Sequence, residues 1–335
     1  MSLLSIEALS VHYRTRAGPV RAVDGAVLEV RAGSILGLVG ESGCGKSTLG
    51  RAVMGVLPDT ASIAGGRVMF EGRDLTAMTE AQRRALRWRR MAFIPQTAMN
   101  ALDPVQRLRA QMGEVLCERG GLSRAKAAAR AEELFVLVGL APSRLADYPH
   151  QFSGGMRQRA SIALALALEP ALVIADEPVT ALDVIVQRQV LDVMRALQAG
   201  LGLAMILVTH DMAVVAYACD RVAVMYAGQV VESGAAGELL ERPLHPYTMG
   251  LTHAFPDVHG GTGELVPIEG SPPSLLHPPL GCRFAPRCPF AQDRCRASAP
   301  PLLPRGDHLA ACWRADEAPV LRAAAARPAT WAAMA

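Results

Sequence analysis

The sequence predicts an α/β fold with a parallel sheet covered by helices on both faces, followed by a small irregular domain. Short apolar runs alternate with helical patterns, as at residues 171–175, 184–199 and 204–208. Residues 4–30 alternate apolar and polar positions, which is typical of an antiparallel strand layer. After residue 243 the chain is rich in Pro and Gly, so we expect no long helices there.

The remaining elements follow from the same patterns in chain order. They are a buried strand at 35–39, a helix from about Lys46, a hairpin at 61–75, a strand at 91–94, helices over 100–150, and a helix at 154–168. Gly200 is the expected end of the helix that begins at residue 184.

Composition excludes several classes of protein. The chain has 335 residues, of which 51% are hydrophobic and 19% charged, so it is neither disordered nor collagen-like. Its net charge of +3 is too weak to predict a nucleic-acid partner. No apolar run reaches the roughly 18 residues of a membrane helix, and the N-terminus lacks the basic region of a secretory signal. We therefore expect a soluble cytosolic chain that binds no nucleic acid.

A glycine-rich segment between the predicted strand and helix matches the phosphate-loop pattern G-x-x-x-x-G-K-[ST]. Its residues are Gly40, Glu41, Ser42, Gly43, Cys44, Gly45, Lys46, Ser47 and Thr48. The glycines allow main-chain N–H groups to face phosphate oxygens, Lys46 reaches the β- and γ-phosphates, and the Ser47 hydroxyl binds Mg²⁺. Cys44 is expected to be a small filler rather than a nucleophile. The flanking strand and helix disfavour the alternative, a glycine-rich turn with a stray lysine.

Two carboxylates follow the apolar run at residues 172–175. Asp176 and Glu177 are expected at the carboxyl end of a strand, where ligands of open α/β sheets gather. We expect Asp176 to hold Mg²⁺ through water and Glu177 to act as general base on the water that attacks the γ-phosphate. Alone, such a pair is equally a solvated strand end, but the phosphate loop favours catalysis.

A third motif opens a helix with Ser153, Gly154 and Gly155. Such a helix end offers N–H donors and a partial positive charge to an anion. Taken alone, the motif is better explained as an ordinary N-cap with Ser153 as the capping residue.

Together the three motifs resemble the ATPase subunits of ABC transporters, over residues 3 to about 250. The resemblance implies a P-loop NTPase fold with a RecA-like core, an antiparallel β subdomain and a helical subdomain at about 100–165. It also implies that residues 153–155 contact the γ-phosphate of ATP held by the opposite subunit of a head-to-tail dimer. Phe152 and Met156 depart from the commonest Leu and Gln of this motif.

The resemblance further implies roles for isolated residues. Gln96 matches the glutamine that senses Mg²⁺ and water, and His210 matches the histidine that contacts the γ-phosphate and supports the base. The segment Ala181–Asp183 matches the loop that crosses the dimer, and Tyr13 matches the aromatic residue that stacks on adenine. Without the resemblance, Gln96, His210 and Tyr13 would be ordinary structural residues.

Four of the seven cysteines lie within 31 residues near the C-terminus: Cys282, Cys288, Cys295 and Cys312. In a reducing compartment such clustering indicates a metal before disulfides. The spacing lacks the C-x₂-C pairs of zinc ribbons, whereas four thiolates hold a [4Fe–4S] cluster at irregular spacing. A Zn²⁺ site, with His308 able to replace one thiolate, and unliganded thiols remain open alternatives.

The C-terminal part has a narrower resemblance. Residues 245–248, 270–273 and 281–289 resemble the C-terminal extension of oligopeptide and dipeptide importer ATPases. This implies a domain at 251–314 that in some members binds an iron–sulfur cluster, here with a structural role. Residues 315–335 are Ala- and Pro-rich, and we expect a disordered tail.

The expected function is ATP hydrolysis that energises the import of oligopeptides or dipeptides. Expected partners are a second homologous ATPase subunit in a heterodimer, two membrane permeases and an extracytoplasmic peptide-binding protein. The expected location is the cytoplasmic face of the inner membrane. Alternatives are the same machinery importing nickel, a glycan or an antibiotic peptide, a soluble ABC ATPase of translation or DNA repair, and a redox-sensing role for the cysteines.

Overall fold

A computed structural model describes residues 2–96, 102–180, 182–254 and 267–332 of the chain. Residues 97–101, which include the predicted start of the helical subdomain, and Ala181 of the predicted dimer-crossing loop lie outside this description.

Strands and helices follow one another along the chain. The strands are β1 (Ser2–Thr15), β2 (Gly18–Arg31), β3 (Ile35–Val39), β4 (Ala61–Phe70), β5 (Arg73–Asp74), β6 (Met91–Ile94), β7 (Leu172–Asp176), β8 (Ala204–Thr209), β9 (Arg221–Tyr226), β10 (Gln229–Ala235), β11 (Leu303–Arg305) and β12 (His308–Ala310). The α-helices are α1 (Lys46–Met54), α2 (Glu80–Leu86), α3 (Leu108–Glu114), α4 (Arg124–Leu137), α5 (Gly154–Ala165), α6 (Val184–Leu201), α7 (Met212–Ala218), α8 (Ala236–Glu241), α9 (Pro246–His253), α10 (Asp293–Ala297), α11 (Ala318–Ala325) and α12 (Pro328–Ala332). A π-helical turn, Val115–Arg119, directly follows α3.

The chain divides into two compact units. The first comprises Met1–Leu3, Val30–Ile35 and Ala77–Val208, and the second comprises Leu4–Glu29, Leu36–Thr76 and Thr209–Ala335. The predicted domain boundary at residue 250 does not separate these units, because the chain on both sides of it belongs to the second.

The first unit contains a parallel sheet in the order β6-β7-β8. Every residue of β7 is buried, as expected for a parallel strand whose sequence is a continuous apolar run. Helix α6 continues through Gly200, so the predicted stop there is wrong. It ends instead at Gly202, whose φ of 63° is the left-handed conformation that closes helices.

The second unit contains two groups of paired strands. The antiparallel sheet β2-β1-β4-β5 is the strand layer expected from the alternating pattern at residues 4–30 and the hairpin at 61–75. The second group has the order β11-β12-β10-β9-β3, in which β3 pairs with β9 in parallel. Strand β12, from the C-terminal extension, thereby pairs with β10 of the preceding ATPase-like region.

Residues 315–332, the described part of the segment expected to be disordered, are ordered in the structure. Helices α11 and α12 form there, and Leu321, Ala325 and Trp331 are buried in an apolar core. The Trp331 indole N–H donates to the Ala325 carbonyl at 2.9 Å. Alanine is the best helix former, and the three apolar side chains give the helices a face to bury, which composition alone did not reveal.

Candidate functional site

The predicted phosphate loop joins the buried strand β3 to helix α1 in the second unit. Gly40 and Gly45 have φ angles of 155° and 107°. A Cβ atom at Gly40 would lie 2.1 Å from the Met225 carbonyl oxygen, and one at Gly45 would lie 2.2 Å from that of Ala22. Both the backbone conformation and the close approach therefore require glycine at these two positions.

Lys46 is folded back into this loop. Its side chain is 5% exposed, and its ammonium donates to the carbonyl oxygens of Gly40 at 2.6 Å and Glu41 at 3.0 Å. The Cys44 sulfur is 3.8 Å away, and burial raises the pKa of that thiol, as expected for a filler rather than a nucleophile. The amine that the sequence assigned to phosphate binding thus lies within the loop.

Tyr13, the predicted adenine contact, lies beside the same loop. Its hydroxyl is 3.2 Å from the Thr48 hydroxyl, on the first turn of α1. Tyr13 is half-buried.

In the first unit, Gln96 and Glu177 lie in contact. The Gln96 amide donates to Glu177 Oε2 at 2.8 Å, and the Thr180 hydroxyl, which no sequence motif marked, donates to the same oxygen at 3.0 Å. Glu177 has a φ of 49°, unusual for a side chain of its size, and its N–H donates to the Val208 carbonyl. Asp176, at the end of β7, is buried.

The Ser-Gly-Gly motif lies at the start of α5 in the first unit. Ser153 is the N-cap, and its side chain accepts the Met156 N–H at 3.4 Å. Gly155 is buried against helix α6, and a Cβ atom there would lie 2.2 Å from Val186 Cγ1. The motif is thus an N-cap whose second glycine is also required by helix packing.

Asp183 caps helix α6, and its carboxylate accepts the Val186 N–H at 2.9 Å. The next two residues, Val184 and Ile185, are 82% and 73% exposed. His210, the predicted γ-phosphate contact, directly follows β8 and is exposed.

The four clustered cysteines line a single cavity in the second unit. Its lining residues are His245, Pro246, Cys282, Phe284, Ala285, Cys288, Phe290, Cys295, Pro300, Cys312, Trp313 and Arg314. All four thiols are free of disulfide bonds. Across the described ranges, no group of three or more His, Cys, Asp or Glu side chains is arranged to hold a metal ion.

Three of the thiols in this cavity, those of Cys282, Cys288 and Cys312, are desolvated, and the Cys312 sulfur accepts a main-chain hydrogen bond. Burial raises the pKa of Cys288 and raises that of Cys312 to about 12. The Arg314 N–H donates to the Cys312 sulfur at 3.3 Å. Main-chain groups of Phe284 and Phe290 act to lower the pKa of Cys282 and Cys288, but the larger effect of burial leaves both pKa values raised.

His308, the alternative zinc ligand, and His245 differ in their position relative to the cavity. His308 is not among the residues that line the cavity, because its Nδ1 lies 3.6 Å from the buried Glu232 carboxylate. His245 does line it, and burial lowers the pKa of its imidazole to about 3. Its Nδ1 accepts the Tyr247 N–H at 3.0 Å.

Within the described ranges, no helix combines the length and apolar character that a bilayer-spanning segment needs.

Comparison with known proteins gives a consistent result. Residues 23–180 match the ABC transporter family model, and residues 231–295 match the model of the oligopeptide/dipeptide transporter C-terminal region. A probable peptide ABC transporter ATP-binding protein of Sinorhizobium fredii is 45% identical, covering 94% of this chain and 96% of the relative. The dipeptide transport ATP-binding protein of Bacillus subtilis is 42% identical, covering 94% and 95%.

Solved structures agree on the fold. A dimeric ATP-binding cassette in a post-hydrolysis state with ADP and Pi superposes with a TM-score of 0.63 at 23% identity, covering 70% of this chain and 98% of that one. A cassette from a Clostridium perfringens ABC transporter complex gives 0.61 at 26% identity, covering 72% and 91%. The chain belongs to the family of ABC transporter ATP-binding proteins, in the oligopeptide and dipeptide transporter group that carries the C-terminal extension.

Proposed function

We propose that this chain hydrolyses ATP to energise a membrane importer of oligopeptides or dipeptides. The observation that carries the proposal is its similarity, over nearly the whole length of both chains, to proteins named for peptide and dipeptide transport. Cargo specificity in such machines resides in other subunits, so nickel or a glycan is the alternative cargo.

The phosphate loop binds ATP, and three polar side chains would hold Mg²⁺. Lys46 contacts the β- and γ-phosphates and Tyr13 stacks on adenine, while Ser47, Gln96 and, through water, Asp176 are the Mg²⁺-binding residues. The other loop residues that surround the phosphates are Gly40, Ser42, Gly43, Cys44, Gly45 and Thr48. A hydroxyl, a carboxylate and an amide oxygen are the donors that Mg²⁺ prefers, and the ion neutralises charge on the phosphate oxygens when bound.

Hydrolysis depends on Glu177. Its carboxylate takes a proton from the water that attacks the γ-phosphorus, while the bond to the ADP oxygen breaks. Hydrogen bonds from Gln96 and Thr180 support this role, because two donors on Oε2 restrict the carboxylate's orientation. His210 contacts the γ-phosphate.

A second ATPase subunit completes each site. Residues Ser153, Gly154, Gly155 and Asp183 act on the ATP bound by that partner, a homologous chain in a heterodimer. The exposed Val184 and Ile185, next to Asp183, support a protein contact here, because removing adjacent apolar side chains from water lowers the free energy.

The assembly is peripheral to the cytoplasmic face of the inner membrane. Two permeases form the path, an extracytoplasmic binding protein delivers the peptide, and Gln96 with the helical region transmits the motion to the permeases.

The four cysteines would hold a [4Fe–4S] cluster with a structural role. Their shared cavity and the main-chain N–H that donates to the Cys312 sulfur support this proposal, because N–H to sulfur bonds accompany and tune clusters of this kind. Cluster binding would have to bring the thiols into a ligand arrangement that they do not have in the described structure. A bound cluster would cross-link four points within residues 282–312 of the extension. Zn²⁺ on the same thiolates is the alternative.

Metal analysis of anaerobically purified full-length protein tests the cluster. We expect brown protein with iron and sulfide each near about four per chain, lost in Cys288→Ser but kept in Cys117→Ser. Colourless protein with stoichiometric zinc would overturn the cluster assignment.

Uptake of labelled peptides into cells tests the function. Deleting the gene should abolish ATP-dependent uptake, and re-expression of the wild type but not of Glu177→Gln should restore it. Unchanged peptide uptake together with lost uptake of nickel or a glycan would contradict the peptide assignment and leave the ATPase role standing.

A further inference from the structure

We propose that Arg287 is a positioning residue for the phosphate loop, and that through Glu41 it couples the cysteine-bearing extension energetically to ATP binding. The inference rests on the proposed ATP-binding role of the loop. It does not depend on which metal, if any, the cysteines bind.

Arg287 uses its whole guanidinium group to join the extension to the loop. Nη1 and Nη2 donate to Glu41 Oε2 at 2.8 Å and Oε1 at 3.0 Å, a bidentate ion pair. Nη1 also lies 3.3 Å from the Tyr226 hydroxyl, Nη2 donates to the Ile268 carbonyl at 3.0 Å, and Nε donates to that of Glu269 at 2.8 Å. The residue is 6% exposed, so these contacts are shielded from water.

Glu41 is the loop residue whose position matters for the catalytic lysine. Its carbonyl oxygen accepts the Lys46 ammonium at 3.0 Å, while its main-chain N–H donates to the Tyr247 hydroxyl at 2.9 Å. Its carboxylate forms the ion pair with Arg287 and therefore faces the extension. Displacing Glu41 would displace the carbonyl that holds Lys46, and with it the loop that binds the phosphates.

The same residues lie next to the cysteine cavity. Arg287 immediately precedes Cys288, and Phe284 lines the cavity. The Phe284 ring packs on Tyr226 with centroids 5.2 Å apart and on Tyr247 at 5.4 Å. Tyr226 contacts Arg287, and Tyr247 contacts Glu41. A continuous packed set of side chains therefore joins the cavity to the loop.

Coupling of this kind is reciprocal. If an intact extension favours the loop conformation that binds ATP, then bound ATP must stabilise the extension by the same factor. Two independent measurements follow, one at each end.

The first measurement is ATP affinity by calorimetry on the full-length chain. Glu41→Gln removes the carboxylate charge, and Arg287→Lys keeps the charge but loses the bidentate geometry. We expect each to weaken ATP binding about tenfold, within the usual range of coupling between sites. The matched control Arg314→Lys also changes an arginine of the cavity lining, which pairs with Glu317, and should bind ATP like the wild type.

The double variant Glu41→Gln/Arg287→Lys distinguishes coupling from separate damage. If both residues act through one contact, the double variant binds ATP no more weakly than the single variant that has the lower ATP affinity. Thermal unfolding identifies any variant that fails to fold. If Arg287→Lys does not fold, Glu41→Gln, which changes the more exposed partner of the pair, still tests the proposal.

The second measurement is amide hydrogen–deuterium exchange of the extension, resolved by mass spectrometry. ATP should slow exchange in residues 281–297 in the wild type but not in Glu41→Gln, whereas helix α4, in the other unit, serves as the reference.

The outcomes separate this inference from the proposed function. A wild type that binds no ATP overturns the proposed function itself. If the wild type binds ATP and both single variants bind it as tightly as the wild type does, the role of Arg287 is overturned. That role is also overturned if Glu41→Gln binds ATP more weakly and a folded Arg287→Lys does not. Amide exchange in the extension that is independent of ATP in the wild type overturns the coupling.

Discussion

Glu177 shows how neighbouring residues can maintain an unfavourable conformation at a site. A φ of 49° costs a non-glycine residue about 1–3 kcal/mol. The Val208 carbonyl accepts its N–H, and Gln96 and Thr180 both donate to one oxygen of its carboxylate. The strained backbone and the two side-chain donors together restrict where the carboxylate points, which is what a general base requires.

Thr180→Val should therefore impair turnover without weakening nucleotide binding. It removes one hydrogen bond to the carboxylate, worth about 1.5 kcal/mol, so we expect kcat to fall roughly tenfold while the Kd for ATP is unchanged. Steady-state ATPase rates and ATP titration of the same preparation check this. Thr252→Val, which removes an unrelated hydroxyl, is the control. An unchanged kcat in Thr180→Val would contradict the positioning role.

The motif residues were predictable, whereas Thr180 was not. Gln96 and Glu177 each follow a buried strand and match a family motif, so the amino-acid sequence was sufficient to mark both as candidate site residues, although not their mutual hydrogen bond. A threonine three residues after a glutamate is a common local arrangement and carries no such signal. Its role became evident only from the turn that brings both side chains together.

At the scale of helices, Gly155 determines how closely α5 approaches α6. A Cβ atom there would overlap Val186 Cγ1 at 2.2 Å, so the two helices pack with glycine against valine. The motif glycine thus has a packing role in addition to the role proposed for it at the partner's ATP.

Gly155→Ala should destabilise the protein by about 1–3 kcal/mol, because the added methyl overpacks this contact. Adding Val186→Ala should recover most of the loss. Urea unfolding of the wild type, the single variant and the pair measures this. Failure of the second substitution to recover stability would mean that the close approach to Val186 is not the cause.

The C-terminal helices are elements that composition obscured. Residues 315–335 are rich in Ala, which is common to low-complexity tails and to good helices. What distinguishes them is Leu321, Ala325 and Trp331, which face a core formed by distant parts of the chain. Local pattern alone could not show that such a surface existed for them to cover.

Trp331→Ala should accordingly cost about 3–5 kcal/mol of unfolding free energy, as expected for a buried tryptophan. Val320→Ala, in the same helical segment but 70% exposed, should change it by less than about 0.5 kcal/mol. Denaturant unfolding compares the two. Equal stability of both variants would restore the view of this segment as a loose tail.

Across the whole molecule, the sequence was informative where function is encoded locally and uninformative where contacts join distant segments. The phosphate loop, the carboxylate strand and the Ser-Gly-Gly helix start are each recognisable within a few residues. The Glu41–Arg287 pair joins residues 246 positions apart, and nothing in the residues around either one predicts the other. The pairing of β12 with β10 is equally non-local.

The central claim for the whole molecule is that this chain hydrolyses ATP only when a partner subunit completes its site. The most direct test is the specific ATPase activity of the purified chain measured against protein concentration, alone and with a homologous partner subunit, with oligomeric state followed by light scattering. We predict negligible activity where the chain is monomeric, activation on dimerisation, and loss of activation in Ser153→Arg while ATP binding persists. Full activity of the monomer, unaffected by Ser153→Arg, would contradict the account.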